Sequence, residues 1–241
     1  MAHDPAYHAL AGEVRARLPV DGRPLLVGLA GAVAVGKSTT AAILAELLAG
    51  HGVRTDVLCT DCFLHPNAVL AERDLTMRKG YPETFDADGL AACLDGLRRG
   101  EVPVPVPVYS HAVYDVVPGE ELPVGLADVV VVEGVNALQP PAAGMYDLAV
   151  YVDADEAHVR QWFVGRFLEL CDAADDGAEG FYRMFCAIEP DARRAVAEGA
   201  WDGINGPNLR DHIAPSRAHA DLVLRKAADH SIVELAPRTA R

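Results

Sequence analysis

The sequence predicts an α/β fold: a doubly wound, mainly parallel sheet with helices on both faces. Three observations predict it. Residues 25–30 form an apolar run that passes through a glycine-rich turn straight into a helical segment, 39–49. Residues 129–132 are four consecutive valines, the unbroken apolar strand that a sheet covered on both faces requires. Strand-like and helix-like stretches then alternate along the chain, the order of βα units.

Taken in order, Tyr7, Leu10, Val14 and Leu18 recur at helical spacing, so residues 5–18 read as an amphipathic helix closed by Pro19. Strand 25–30, the turn and helix 38–49 follow, with Gly50 as the stop. Residues 53–60 read as a second strand with Asp61 at its carboxyl end, where open α/β sheets hold their ligands. Residues 65–85 carry scattered charges and weak periodicity and read as a surface excursion. Residues 86–100 return to helix, with Asp86 as N-cap.

Residues 102–108 alternate proline and valine, which leaves a polyproline-like connector or an edge strand and excludes a central strand. Residues 109–117 read as a short edge strand bearing Tyr109, His111, Tyr114 and Asp115. The valine strand ends in Glu133, and 148–152 is a further strand followed by helix 155–170. Trp162, Phe163 and Arg166 share a face of that helix, and a core would not take an unpaired arginine. Residues 172–180 read as a mobile loop or lid. Residues 181–198 read as mostly helical, 201–207 as turn-rich, and 221–225 and 231–235 as two short strands.

Composition bounds the function. The chain has 241 residues, 51% hydrophobic and 23% charged, which suits one globular domain over 1–241 with a short helical extension at 1–24. A net charge of −14 argues against a nucleic-acid partner, so any anionic ligand needs local positive groups. The first 20 residues contain Asp4 and Glu13 and lack the apolar segment of a signal peptide, and no run is long enough to span a bilayer. Five scattered cysteines suit a reducing cytoplasm. Cys59 and Cys62 form a C-x-x-C without a second ligand pair, and read as thiols flanking a strand end.

The turn itself is Gly31-Ala32-Val33-Ala34-Val35-Gly36-Lys37-Ser38, followed by Thr39, and fits G-x-x-x-x-G-K-[ST] in its required strand–loop–helix setting. This makes the predicted fold P-loop NTPase-type. Glycines let successive N–H groups and a helix N-terminus converge on phosphate oxygens. Lys37 then reaches the β- and γ-phosphates of ATP, and the Ser38 hydroxyl takes Mg²⁺. Glu133 at its strand end suits a Walker B-like carboxylate for the same ion.

Beyond the loop, the chain resembles the bacterial type I pantothenate kinases of the phosphoribulokinase and uridine kinase group. The likeness runs through residues 30–40, Thr60-Asp-Cys-Phe-Leu-His-Pro-Asn67, Lys79-Gly-Tyr-Pro-Glu-Thr-Phe-Asp86 and 107–115. It continues through Val132-Glu-Gly-Val-Asn136, 151–154, 162–167, 205–217 and 226–230, in the same order over about 25–235. The resemblance implies ATP-dependent phosphorylation of the primary hydroxyl of pantothenate, with ATP and Mg²⁺, in a cytoplasmic homodimer. It implies Asp61 as the base, Lys37 and Arg166 as cations on the transferring group, and His230 near the adenine. Lys79, Tyr109, His111, Tyr114, Asn208 and the position of Phe163 would meet the acceptor.

The pattern is broken in places. Ala42 stands where the family has an arginine associated with coenzyme A, Cys62 replaces a glycine, and Phe163 replaces a tyrosine. Leu170-Cys-Asp replaces an aromatic-Arg-Glu run. The loss at Ala42 implies weak inhibition by coenzyme A; an inhibition curve as tight as that of ordinary family members would refute it. The acceptor alternatives on this fold are a nucleoside, a sugar or a pantothenate analogue. A non-catalytic nucleotide sensor is the reading from another class.

Overall fold

The computed structural model describes residues 3–174, 181–185 and 187–238. Its frame is a six-stranded sheet: β1 (Leu25–Gly31), β2 (Thr55–Cys59), β5 (Val129–Glu133), β6 (Leu148–Asp153), β7 (Leu222–Lys226) and β8 (Ile232–Pro237), ordered β2-β5-β1-β6-β7-β8. All neighbours are parallel except β8 on β7. The neighbouring interior strands β1 and β5 are buried at every residue, including Glu133 at the end of β5. Gly28 sits mid-strand because a Cβ there would stand 2.7 Å from the Tyr146 ring and 2.9 Å from Leu138. Parallel winding brings the carboxyl ends of β1, β2, β5, β6 and β7 to one rim, which carries Gly31, Cys59, Glu133, Asp153 and Lys226.

Helix α1 (Pro5–Arg15) starts on an Asp4 carboxylate that accepts from the Ala6 N–H at 2.9 Å, and it buries Tyr7, Leu10 and Val14. It stops short of Leu18, because the residue before Pro19 is disfavoured in the α region. Helix α2 (Lys37–Ala49) runs from the glycine-rich turn, and α3 (Asn67–Glu72) and α4 (Ala87–Arg98) follow. Asp86 caps α4, accepting from the Gly89 N–H at 2.9 Å as the sequence predicts. Helix α5 (Glu156–Ala174) outruns its predicted end at 170 and meets α6 (Pro190–Ala200). Val164, Phe167, Cys171 and Ala197 form a small second core there, beside Tyr182 and Phe185. Of the predicted lid, 172–174 belong to α5 and 175–180 lie outside the described residues.

Three local expectations are corrected. Residues 65–85 are a surface excursion only in part: 71–78 are mostly exposed, but Leu70, Tyr81, Thr84 and Phe85 are buried, and the Tyr81 hydroxyl donates to the Ile204 carbonyl at 3.0 Å. Tertiary burial overrides the charged, aperiodic surface pattern there. Residues 109–117 are not one strand; β3 (Val104–Ser110) and β4 (Asp115–Val124) form a separate antiparallel hairpin that reverses at 111–114, with Tyr114 at φ 56°. The proline run is therefore a strand, tolerated because its sheet has only two strands and shifts register after Pro107. Residues 201–207 are not turn-rich but helical. Wide π turns at Trp201–Asn205 and Leu209–Ile213 flank Gly206–Asn208, where Pro207 removes a regular helix bond. No helix among the described residues is long and apolar enough to cross a membrane.

Candidate active site

The glycine-rich turn leaves β1 at Gly31 and enters α2 at Lys37. Gly31 has φ +151°, and a Cβ there would lie 2.5 Å from the Val152 carbonyl oxygen, so the next strand allows no side chain. Ala34 (φ 61°) and Gly36 (φ 88°) both take the left-handed region, which turns successive N–H groups into one concavity. Ala32 and Val35 anchor the turn in the core, Val33 and Ala34 are half-exposed, and Ser38 and Thr39 lie open on the first turn of α2. The Lys37 ammonium is buried and donates to the Ala32 carbonyl at 2.9 Å. Burial pushes its pKa down, against the attraction of Glu133 and Asp61.

Two carboxylates face this loop from neighbouring strand ends. Glu133, only 5% exposed, accepts a hydrogen bond from the Ser38 hydroxyl at 2.7 Å. Asp61 lies in the single 3-10 turn Thr60–Phe63 that directly follows β2. Its pKa is raised, chiefly by burial. His111, Lys37 and Lys79 pull it down, and the Glu133 carboxylate pushes it up. The field at Asp61 is thus set by residues from four separate segments, all named from the sequence. Burial also pushes the flanking Cys59 and Cys62 thiols up, which keeps them protonated and inert.

Lys79 anchors the far wall. Its ammonium donates to Asn67 Oδ1 at 2.7 Å and to the Tyr114 carbonyl at 2.6 Å, and it lies 4.3 Å from the Tyr114 ring centre and 5.3 Å from that of Tyr109. Tyr109 packs edge-on against both His111 and Tyr114, while Tyr114 stacks on Phe181 at 4.5 Å. Burial pushes the Tyr114 hydroxyl up to about 12, so it stays a neutral donor. Asn208 is buried and donates to the Gly80 carbonyl at 2.8 Å; its Oδ1 has no partner among the described residues. Asn67 was not singled out by the sequence reading, although it also takes the Tyr114 carbonyl at 3.0 Å and fixes the hairpin turn.

On α5, the Trp162 ring stacks on the His230 imidazole at 4.0 Å, and its indole N–H donates to the Ala228 carbonyl at 3.1 Å. His230 sits at φ 65° in the turn between β7 and β8, exposed on its outer side. Burial and the nearby Lys226 charge push its pKa down, which favours a neutral ring. Arg166, one turn beyond Trp162, is exposed, and its charge is felt at Lys37 and at Tyr182. Phe163 leans on Trp201 at 5.7 Å and is partly absorbed into the core.

Sequence reasoning missed Lys226 as a site residue. Its buried ammonium donates to the carbonyls of Val35 at 3.1 Å and Gly36 at 3.4 Å, at the back of the turn. Burial and the Lys37 charge lower its pKa to about 8. Its position at the carboxyl end of β7, as one of three lysines in the chain, was the signal available.

Residues 26–162 match the phosphoribulokinase / uridine kinase family. The chain is 43% identical over 228 residues to the pantothenate kinase of Mesorhizobium japonicum, spanning 89% of this chain and 72% of that one. It is 45% identical over 223 residues to the pantothenate kinase of Sorangium cellulosum, with the same two shares, 89% and 72%. Among solved structures, a candidate fructose transport system kinase from Silicibacter sp. TM1040 is similar at 26% identity and a TM-score of 0.68, covering 85% of this chain and 92% of that one. On these matches, together with a phosphate loop faced by two carboxylates, the chain belongs to the phosphoribulokinase / uridine kinase family and is a phosphotransferase acting on an alcohol group.

Proposed function

We propose that residues 1–241 form one kinase domain, which transfers the γ-phosphoryl group of ATP to the primary hydroxyl of pantothenate, giving 4′-phosphopantothenate at the head of coenzyme A synthesis. The observation that carries this reading is the position of Asp61: a carboxylate with a raised pKa, in electrostatic reach of Lys37, Glu133, Lys79 and His111. Phosphoryl transfer demands positioning, cations on the equatorial oxygens and a carboxylate near the attacking hydroxyl, and little covalent chemistry. The names of the two pantothenate kinase relatives support pantothenate as the acceptor.

In this reading residues 31–39 cradle the phosphates, Lys37 and Arg166 hold the transferring group, and Asp61 accepts the hydroxyl proton. His230, backed by Trp162, faces the adenine. Lys79, Tyr109, His111, Tyr114 and Asn208 form the acceptor pocket, with Phe163 at its margin. The free Oδ1 of Asn208 and the neutral Tyr114 hydroxyl are hydrogen-bonding groups that a polar acceptor would use. Magnesium fits Ser38 and Glu133: both offer hard oxygens, already 2.7 Å apart, and Mg²⁺ usually takes one or two protein oxygens besides phosphate and water. When bound, it neutralises charge on the phosphate chain. The homodimer and the cytoplasmic location are proposed from the family habit and the scattered cysteines.

A second reading, a kinase for another hydroxyl such as a sugar, is favoured by Phe163, which offers no hydroxyl and leans on Trp201, and by the Silicibacter likeness. ADP release with MgATP against pantothenate, pantetheine, uridine, a ketose and no acceptor separates the two. Turnover with pantothenate at least about tenfold above the others is the expected result. Turnover with the ketose or uridine alone would replace the acceptor.

A further inference from the structure

Lys226 is a charge that the proposed chemistry does not yet use. It is 4% exposed, and among the described residues no carboxylate pairs with it. Two loop carbonyls take its hydrogen bonds, which leaves one of its three protons uncommitted. A Cβ added to Gly36 would lie 2.7 Å from its nitrogen, so the amine presses against the backbone where the loop becomes helix. Lys37, immediately after Gly36, is a second buried ammonium, and among the described residues it likewise hydrogen-bonds to a loop carbonyl. Two like charges are thus buried around one turn, repelling each other, with carbonyl dipoles as their direct partners.

A structural staple between β7 and the loop needs donors and no charge. Burial disfavours charge, and an unpaired buried ion costs far more than a neutral donor. The arrangement balances once an anion occupies the concave side of the loop. The Gly36 carbonyl is also held by the Thr40 N–H at 3.0 Å and hydroxyl at 2.9 Å, so the carbonyl that Lys226 orients is that of Val35, at 3.1 Å. Four residues on, the same turn carries His230 stacked on Trp162, so one short segment links the ring platform to the loop.

We propose that Lys226 is a positioning residue for the polyphosphate of the nucleotide: it pins the Val35 carbonyl away from the anion and supplies a second buried positive charge behind it. The inference rests on the ATP-binding reading above. The test is titration calorimetry of ATP and of adenosine against wild type, K226M and K226Q, with thermal melts of each protein without ligand. K226Q retains an amide donor and loses the charge. In both variants ATP affinity falls about ten- to a hundredfold, the size of one charge-assisted interaction, while adenosine affinity stays within about twofold. Ligand-free melting stays within about 4 °C of wild type.

Equal weakening of ATP and adenosine, or wild-type ATP binding by K226Q, would overturn the proposal and leave the kinase reading standing. Failure of both variants to fold would assign Lys226 to construction of the fold and overturn it too. If wild type itself bound no ATP, the kinase reading would fall first, and this inference with it.

Discussion

Asp61→Asn lowers kcat by about 10²–10⁴, the range for loss of a general base, and leaves MgATP binding within about twofold. The amide keeps the shape of the side chain and cannot take the acceptor proton. Wild-type Asp61 is a carboxylate whose pKa is raised by burial and by the Glu133 charge. A base must be deprotonated to act, so the rate climbs as pH rises through that raised pKa. The acid limb of kcat/KM therefore lies above the ordinary carboxylate range in the wild type and vanishes in the variant. Steady-state rates from pH 4 to 9, with ATP titrations at each pH, check both parts. An acid limb unchanged in Asp61→Asn would assign it to another group.

Lys37→Met lowers kcat/KM for ATP by about 10²–10³, as removal of one preorganised charge from a transition state does. Its stability should move the other way. The ammonium is buried on the Ala32 carbonyl with no ion pair among the described residues, and burial already pushes its pKa down. Replacing an uncompensated buried charge with an apolar chain of similar length is neutral or stabilising. The ligand-free protein should therefore melt at or above the wild-type temperature while its stabilisation by ATP disappears. A large drop in ligand-free melting temperature would mean that Lys37 builds the loop.

Much of this was legible in the sequence because it is local. The loop motif carries its own strand and helix, the four valines mark a doubly covered strand, and Asp86 announces the start of α4. Asp61 follows from the topological rule that strand carboxyl ends form the rim of the site, and Glu133 from its Walker B-like place at the end of the valine strand. What stayed hidden depends on distant partners. Lys226 has no motif; its meaning comes from Val35 and Gly36, some 190 residues away. Asn67 is an ordinary helix-start residue until the hairpin turn brings the Tyr114 carbonyl to it. Pro207, flanked by glycine and asparagines, reads as turn; the burial of Trp201 and Leu209, with the hydrogen bonds from Tyr81 to Ile204 and from Asn208 to Gly80, holds that stretch in wide helical turns.

The reaction that unites these residues is the movement of a γ-phosphoryl group from ATP to the primary hydroxyl of pantothenate. Phosphorus NMR of a reaction containing the protein, MgATP and pantothenate tests it most directly. ADP and a new phosphomonoester resonance split by the two protons of a neighbouring CH₂ are expected to accumulate together, both slowed by about 10²–10⁴ with Asp61→Asn. Inorganic phosphate and ADP without any ester signal, or no loss of ATP beside full turnover of another alcohol, would contradict it.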